Sequence, residues 1–346
     1  MNKTALTKTY TKDIQNSCLN SKKIVLSLAT ISFLASCTHA TLTPEIKTYE
    51  ETNRHAKARS ASRSTNSNNK TTISSLQNST QTVSNTGNTL VIESGGTITI
   101  SNGGQQAVNF QPNSSTSTFL NKGTLIGGNN TASVQLGADG NNGVNIETFD
   151  NQGIIGNGSS KFGVTVFWGG DKDNSKSIIN NFSNSGTIHS NAGESIYFGN
   201  ANISSFANSG TIKSKQGAGV NISQGTSIGN FNNTGTIEGK KDGIQINANV
   251  KTLINKGTIK GDAISIRSLG GTIDQLINEG IMDGKSAGIY MRGGRVKTLI
   301  NSGTINQNNS ETWAAGIKLQ NNSTIENIIN TGSIRSNAFG ISVTGG

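Results

Sequence analysis

The chain has 346 residues, a formal charge of +10, only 2 prolines, 43 glycines, 5 % aromatic and 14 % charged residues. Both cysteines, Cys18 and Cys37, fall in the first forty positions, so the rest of the chain can hold neither a disulfide framework nor a cysteine metal site. The first 37 residues carry five lysines and one aspartate, which leaves a thinly spread positive charge on the remainder and excludes the basic clustering that nucleic-acid binding requires.

In chain order, the first element is an address. Lys22 and Lys23 precede an apolar run, Ile24 to Leu34, of 11 residues. That is about half the roughly 20 residues needed to span a bilayer, and it matches an export signal. Leu34-Ala35-Ser36-Cys37 follows at once. This tetrad resembles a bacterial lipobox, which implies cleavage before Cys37 and acylation of its thiol and amino terminus. Residues 1–37 are thus expected as a signal peptide with a lipobox, and several acyl chains on one residue would give durable membrane attachment. Residues 38–84 are polar and aperiodic and are expected as a flexible stalk.

From residue 85 to 346 the chain repeats itself. Asn-x-Gly recurs at Asn121, Asn151, Asn184, Asn208, Asn233, Asn255, Asn278, Asn301 and Asn330, at intervals of 22 to 33 residues. Two positions before each Asn stand Phe119, Phe149, Phe182, Phe206 and Phe231, then Leu253, Leu276, Leu299 and Ile328. Four positions after it stands Leu125, Ile155, Ile188 or an equivalent apolar residue in every repeat. A third apolar pair follows at period two, as in Val220/Ile222, Ile244/Ile246, Ile264/Ile266, Ile289/Met291 and Ile317/Leu319. Period-two alternation in a self-similar unit of about 23 residues predicts an all-β solenoid, a right-handed parallel β-helix with three short strands per rung. Gly after Asn permits positive φ beside a residue that tolerates it, so a left-handed corner is expected there. Lys213, Glu238, Lys260 and Asp283 alternate in sign in one outward column and are expected to be neighbours across rungs.

These N-x-G-T-I repeats, with the long signal and the lipobox, resemble the passenger domains of type V autotransporters, in particular autotransporter lipoprotein adhesins of the CapA type. The resemblance implies a lipid-anchored outer-membrane protein displayed at the cell surface. It also implies attachment to a host-cell protein or glycan, with the membrane reached through lipid on Cys37. Such proteins end in a β-barrel of ~10-residue alternating strands; none is present here, and the chain is expected to be cut off before it.

Residue chemistry points away from catalysis and from any cofactor or metal. Gly225 to Gly229 spells G-x-S-x-G, but that motif needs a strand-to-helix turn and partner His and Asp residues. The three histidines are scattered. Binding is expected where the repeat is interrupted, because loops on a rigid scaffold carry it. Trp168, Asp171 and Asp173 lie in one such insertion and Trp313 in another. The alternatives are a β-helix polysaccharide-degrading enzyme and a non-functional fragment of a larger protein.

Overall fold

A computed structural model describes residues 69–344, apart from 85, 102, 139–141, 157–159, 168–175 and 310–313. The described residues form three 11-stranded sheets in which every neighbouring pair is parallel. The chain visits the three sheets in strict rotation, so each circuit is one rung and the whole is the expected parallel β-helix. Sheet 1 runs from Lys70–Ile73 to Thr324–Asn330, sheet 2 from Leu76–Gln77 to Ser333–Arg335, and sheet 3 from Gln81–Val83 to Phe339–Thr344. Eleven rungs at about 4.8 Å each give a column on the order of 50 Å long.

The solenoid starts earlier than the repeat suggests. Lys70–Ile73 pairs with the next rung, Lys70 opposite Thr89 and Ile73 opposite Ile92, inside the segment expected as stalk. This rung carries no Asn-x-Gly, and Thr71 stands where later rungs have Phe or Leu, so its alternation is faint. Ile73 and Val83 are nonetheless buried.

At the corner between sheets 1 and 2, side-chain amides form a continuous buried chain. Asn121 Nδ2 donates to Asn151 Oδ1 at 2.7 Å, Asn151 to Asn184 at 2.7 Å, and so on through Asn208, Asn233, Asn255, Asn278 and Asn301 to Asn330. The same Nδ2 groups also reach backbone carbonyls of the next rung, such as Thr211 and Thr236. The asparagines' own carbonyls close the corner, since Asn184 O accepts from both Ser209 N–H and Gly210 N–H. Buried amides with every group engaged stabilise a structure, whereas a single orphaned one costs about 1–3 kcal/mol.

The glycine two positions on serves a different purpose from the expected one. None of Gly123, Gly153, Gly186, Gly210, Gly235, Gly257, Gly280, Gly303 or Gly332 has left-handed backbone. They are glycine because each packs on the carbonyl of the glycine below: a Cβ on Gly235 would lie 2.1 Å from Gly210 O. Left-handed residues sit at the other corners, at Gly225, Gly270, Gly271, Gly293, Gly294, Asn321 and Asn322.

Inside, like stacks on like. Phe149 and Phe182 have ring centroids 4.4 Å apart and Phe206 and Phe231 4.3 Å, nearly parallel in both cases. Phe198 from sheet 3 meets Phe182 and Phe206 edge-on. Such contacts add roughly 0.5–1.5 kcal/mol each beyond their burial. One predicted pair is in the wrong register. Ile264 lies opposite Asp242, and it is Ile266 and Ser268 that continue the column of Ile244 and Ile246. The shift accompanies an irregularity after Ile246, and Ser268 is accommodated by donating its hydroxyl to Gly270 O at 3.1 Å.

Two substitutions separate the two columns. Asn208→Ala removes the side-chain acceptor of Asn184 Nδ2 and the donor to buried Asn233 Oδ1, and a loss of about 3 kcal/mol in urea unfolding is expected. Gly235→Ala drives a methyl into the carbonyl beneath and should cost roughly 3 kcal/mol, while Gly340→Ala, with nothing within 4 Å, should leave the midpoint unchanged.

Candidate functional site

The residues expected to carry function, Cys37, Trp168, Asp171, Asp173 and Trp313, all lie outside the described residues. Among the described residues one cavity opens on sheet 1 and another on sheet 3.

The sheet 1 notch, about 490 Å³, opens where Gly229 interrupts an outward column of longer side chains. Lys251 and Asp274 line it, and Asp274 is held by Lys297 at 2.5 Å. Ser227, the serine of G-x-S-x-G, is also in its wall. Ser227 begins a strand, Ser227–Asn233, and its hydroxyl donates to Asn202 Oδ1 at 2.8 Å. A serine engaged by a side-chain amide, with no imidazole on it, is not an activated nucleophile.

The sheet 3 cleft, about 280 Å³, is built by the strands Ile264–Gly270, Ala287–Arg292 and Ala315–Gln320. Alternation turns Arg267, Tyr290 and Lys318 outward in register, each following a buried isoleucine that faces the core. Beside them the floor is Ile264 and Ala287, whose small combined bulk leaves the space. The Arg267 guanidinium lies 5.5 Å from the Tyr290 ring centroid. Tyr290 donates its hydroxyl to Gln320 Oε1 at 2.6 Å, and Gln320 Nε2 donates to Thr344 Oγ1 at 3.1 Å. The walls are therefore braced before anything enters.

Charge around this cleft is uneven. Arg267 Nε donates to Asp242 Oδ2 at 2.8 Å, and Asp242 is only 3 % exposed, with Oδ1 lacking a partner. Burial pushes the Asp242 carboxyl up, against the pull of the Arg267 hydrogen bond and charge. Asp262, on the neighbouring corner, goes the other way: the hydrogen bond from Lys240 at 2.5 Å draws it down, with Lys285 at 3.6 Å helping. Lys241 is exposed beside them.

The charge column on sheet 2 has the expected register. Lys213 lies opposite Glu238, Glu238 opposite Lys260 and Lys260 opposite Asp283, and Lys213 Nζ is 3.1 Å from Glu238. His189 extends the column below Lys213, and burial, then Lys215 and Lys213, hold its imidazole below the usual histidine range. Among the described residues no three His, Cys, Asp or Glu side chains come together as a metal site.

The repeat gives no pointer to this cleft: Arg267 faces outward in either register, and the repeat is written in the inward residues. The signal that could have found it is the outward series Gln245, Arg267, Tyr290, Lys318.

The raised Asp242 carboxyl has a consequence for stability. Between the ordinary aspartate range and the higher folded value, the folded chain holds a proton that the unfolded chain releases. Stability from this group is therefore lost as pH rises through that window. Asp242→Asn should flatten the fall in melting temperature above about pH 4, without loss at pH 7. No protein-family model, no curated protein and no solved structure matches this chain, so the reading of its function rests on residues alone.

Proposed function

We propose that this chain is a non-catalytic adhesin, displayed at the cell surface on a lipid attached to Cys37. The resemblance of its repeats and lipobox to autotransporter lipoprotein adhesins favours this reading, and the surface chemistry favours it independently. The observation that carries it is that the carboxylates beside both cavities are already bound to cations on neighbouring rungs. Asp274 is held by Lys297, Asp242 by Arg267, and Asp262 by Lys240 and Lys285. A polysaccharide-degrading enzyme needs unencumbered acid and base groups facing one bond. An adhesin needs a stiff column with a patterned exterior, and rung stacking supplies it.

Bacteria producing the full chain at their surface should bind cultured host cells at least tenfold more than bacteria lacking it. Cys37→Ser should abolish labelling by radioactive palmitate and release the protein from the membrane. Calcium-dependent chain cleavage of an acidic polysaccharide by the purified protein would replace the adhesin reading with the enzymatic one.

A further inference from the structure

The sheet 3 cleft has features that recognition of a particular ligand class would require, and we infer that it is a binding site for an acidic oligosaccharide, a sugar chain bearing carboxylate or sulfate groups. The inference rests on the adhesin reading only for its biological setting; the cleft itself is argued from its own residues.

Three features converge. The first is a preorganised cation. Arg267 lines the cleft and is fixed through Nε by Asp242, so its planar fork is held in place before a ligand arrives. A fixed guanidinium suits carboxylate and sulfate, which accept two parallel hydrogen bonds from it. The second is an amphipathic platform. The Tyr290 ring is half-buried among Ile264 and Ala287 and its hydroxyl is turned to Gln320, so a ligand meets ring carbon, an amide and the Ser286 hydroxyl together. Sugars present the same mixture of C–H faces and hydroxyls, and sites for small polar ligands combine apolar walls with a few placed polar groups.

The third feature is extent. Lys240, Lys241, Lys285 and Arg292 are exposed on the rungs that form the cleft and the one before them. The acids among them, Asp242 and Asp262, are each already bound to a cation, and the basic groups outnumber them. On the corner beside the cleft Lys240, Asp262 and Lys285 follow one another on successive rungs with Lys241 next to Lys240, so two lysines share one carboxylate and a net positive charge remains. By contrast the sheet 2 column Lys213, Glu238, Lys260, Asp283 cancels itself and attracts neither sign. An excess of one sign beside a cleft raises the local concentration of the opposite sign and makes binding salt-dependent.

The test uses the purified full chain and titration calorimetry against four probes: polygalacturonate, dextran sulfate, neutral dextran and a DNA duplex. Binding of polygalacturonate or dextran sulfate at least tenfold tighter than of dextran and DNA is expected, and the tighter of the two identifies the acid. Tyr290→Ala should weaken that binding at least tenfold. The double variant Lys241→Gln/Lys285→Gln, at exposed positions, should also weaken it and reduce its salt dependence. Equal binding of dextran, equal binding of DNA, no binding of either acidic probe, or full binding by both variants would each overturn the inference. Host-cell attachment that persists in Tyr290→Ala and resists competition by both acidic polymers would overturn it while leaving the adhesin reading in place.

Discussion

The buried asparagine chain at the first corner is the constraint from which the rest of the structure follows. Each side-chain amide is both donor and acceptor, and each joins the rung below to the rung above. A rung displaced by one residue would bury something other than an amide there and leave two neighbours unpaired. It would also turn every inward side chain of the strand outward, because strand side chains alternate with period two. The glycine column tightens the same joint sterically, admitting no side chain between successive backbones. Register is thus specified twice at one corner, by hydrogen bonding and by exclusion. Repeat lengths can therefore vary from 22 to 33 residues elsewhere without loss of stacking.

The chain of amides has a direction and a beginning. Asn121 Oδ1 has no asparagine beneath it and accepts instead from Gly123 N–H at 3.2 Å. Below it the column continues as Ile92 and then Ile73, both buried. An apolar residue there asks for no partner, so the ladder closes without an orphaned group. The same logic governs the core. Phenylalanines stack over five rungs and give way to leucine at Leu253, which lies directly above Phe231. Contact between like shapes is kept on each side of the change.

Much of this was legible because a solenoid writes its three-dimensional neighbours as columns in the sequence. The three strands per rung, the phenylalanine and isoleucine ladders and the alternating charges all follow from spacing. What was not legible falls into two kinds. The first rung at Lys70 lacks the corner motif and has the exposed Thr71 in register with the inward Leu90, so it carries too little pattern to be seen. The slip at Ile264 has a different origin: Ile264 and Ile266 imitate the inward pair, but Ile266 and Ser268 take the column of Ile244 and Ile246, with a serine disguising the second position. Spacing alone also could not give the reason for the glycines. Positive φ and close backbone approach leave the same letter in the sequence, and only the position of the carbonyl on the rung below distinguishes them.

The location of the candidate site follows from the same division of labour. Inward columns and the amide corner are fixed by stacking, since most residues there have one of like kind on the neighbouring rungs. Outward positions on sheet 3 are free of that demand, and there Gln245, Arg267, Tyr290 and Lys318 differ at every step. Where the outward column is diverse, a small floor residue such as Ala287 opens a cleft whose walls are all different groups. Where it is regular, as on sheet 2, opposite charges on successive rungs satisfy one another and leave little for a partner. Specific recognition needs unlike groups converging on one point. In a repeat protein those groups can come only from columns that the repeat does not dictate.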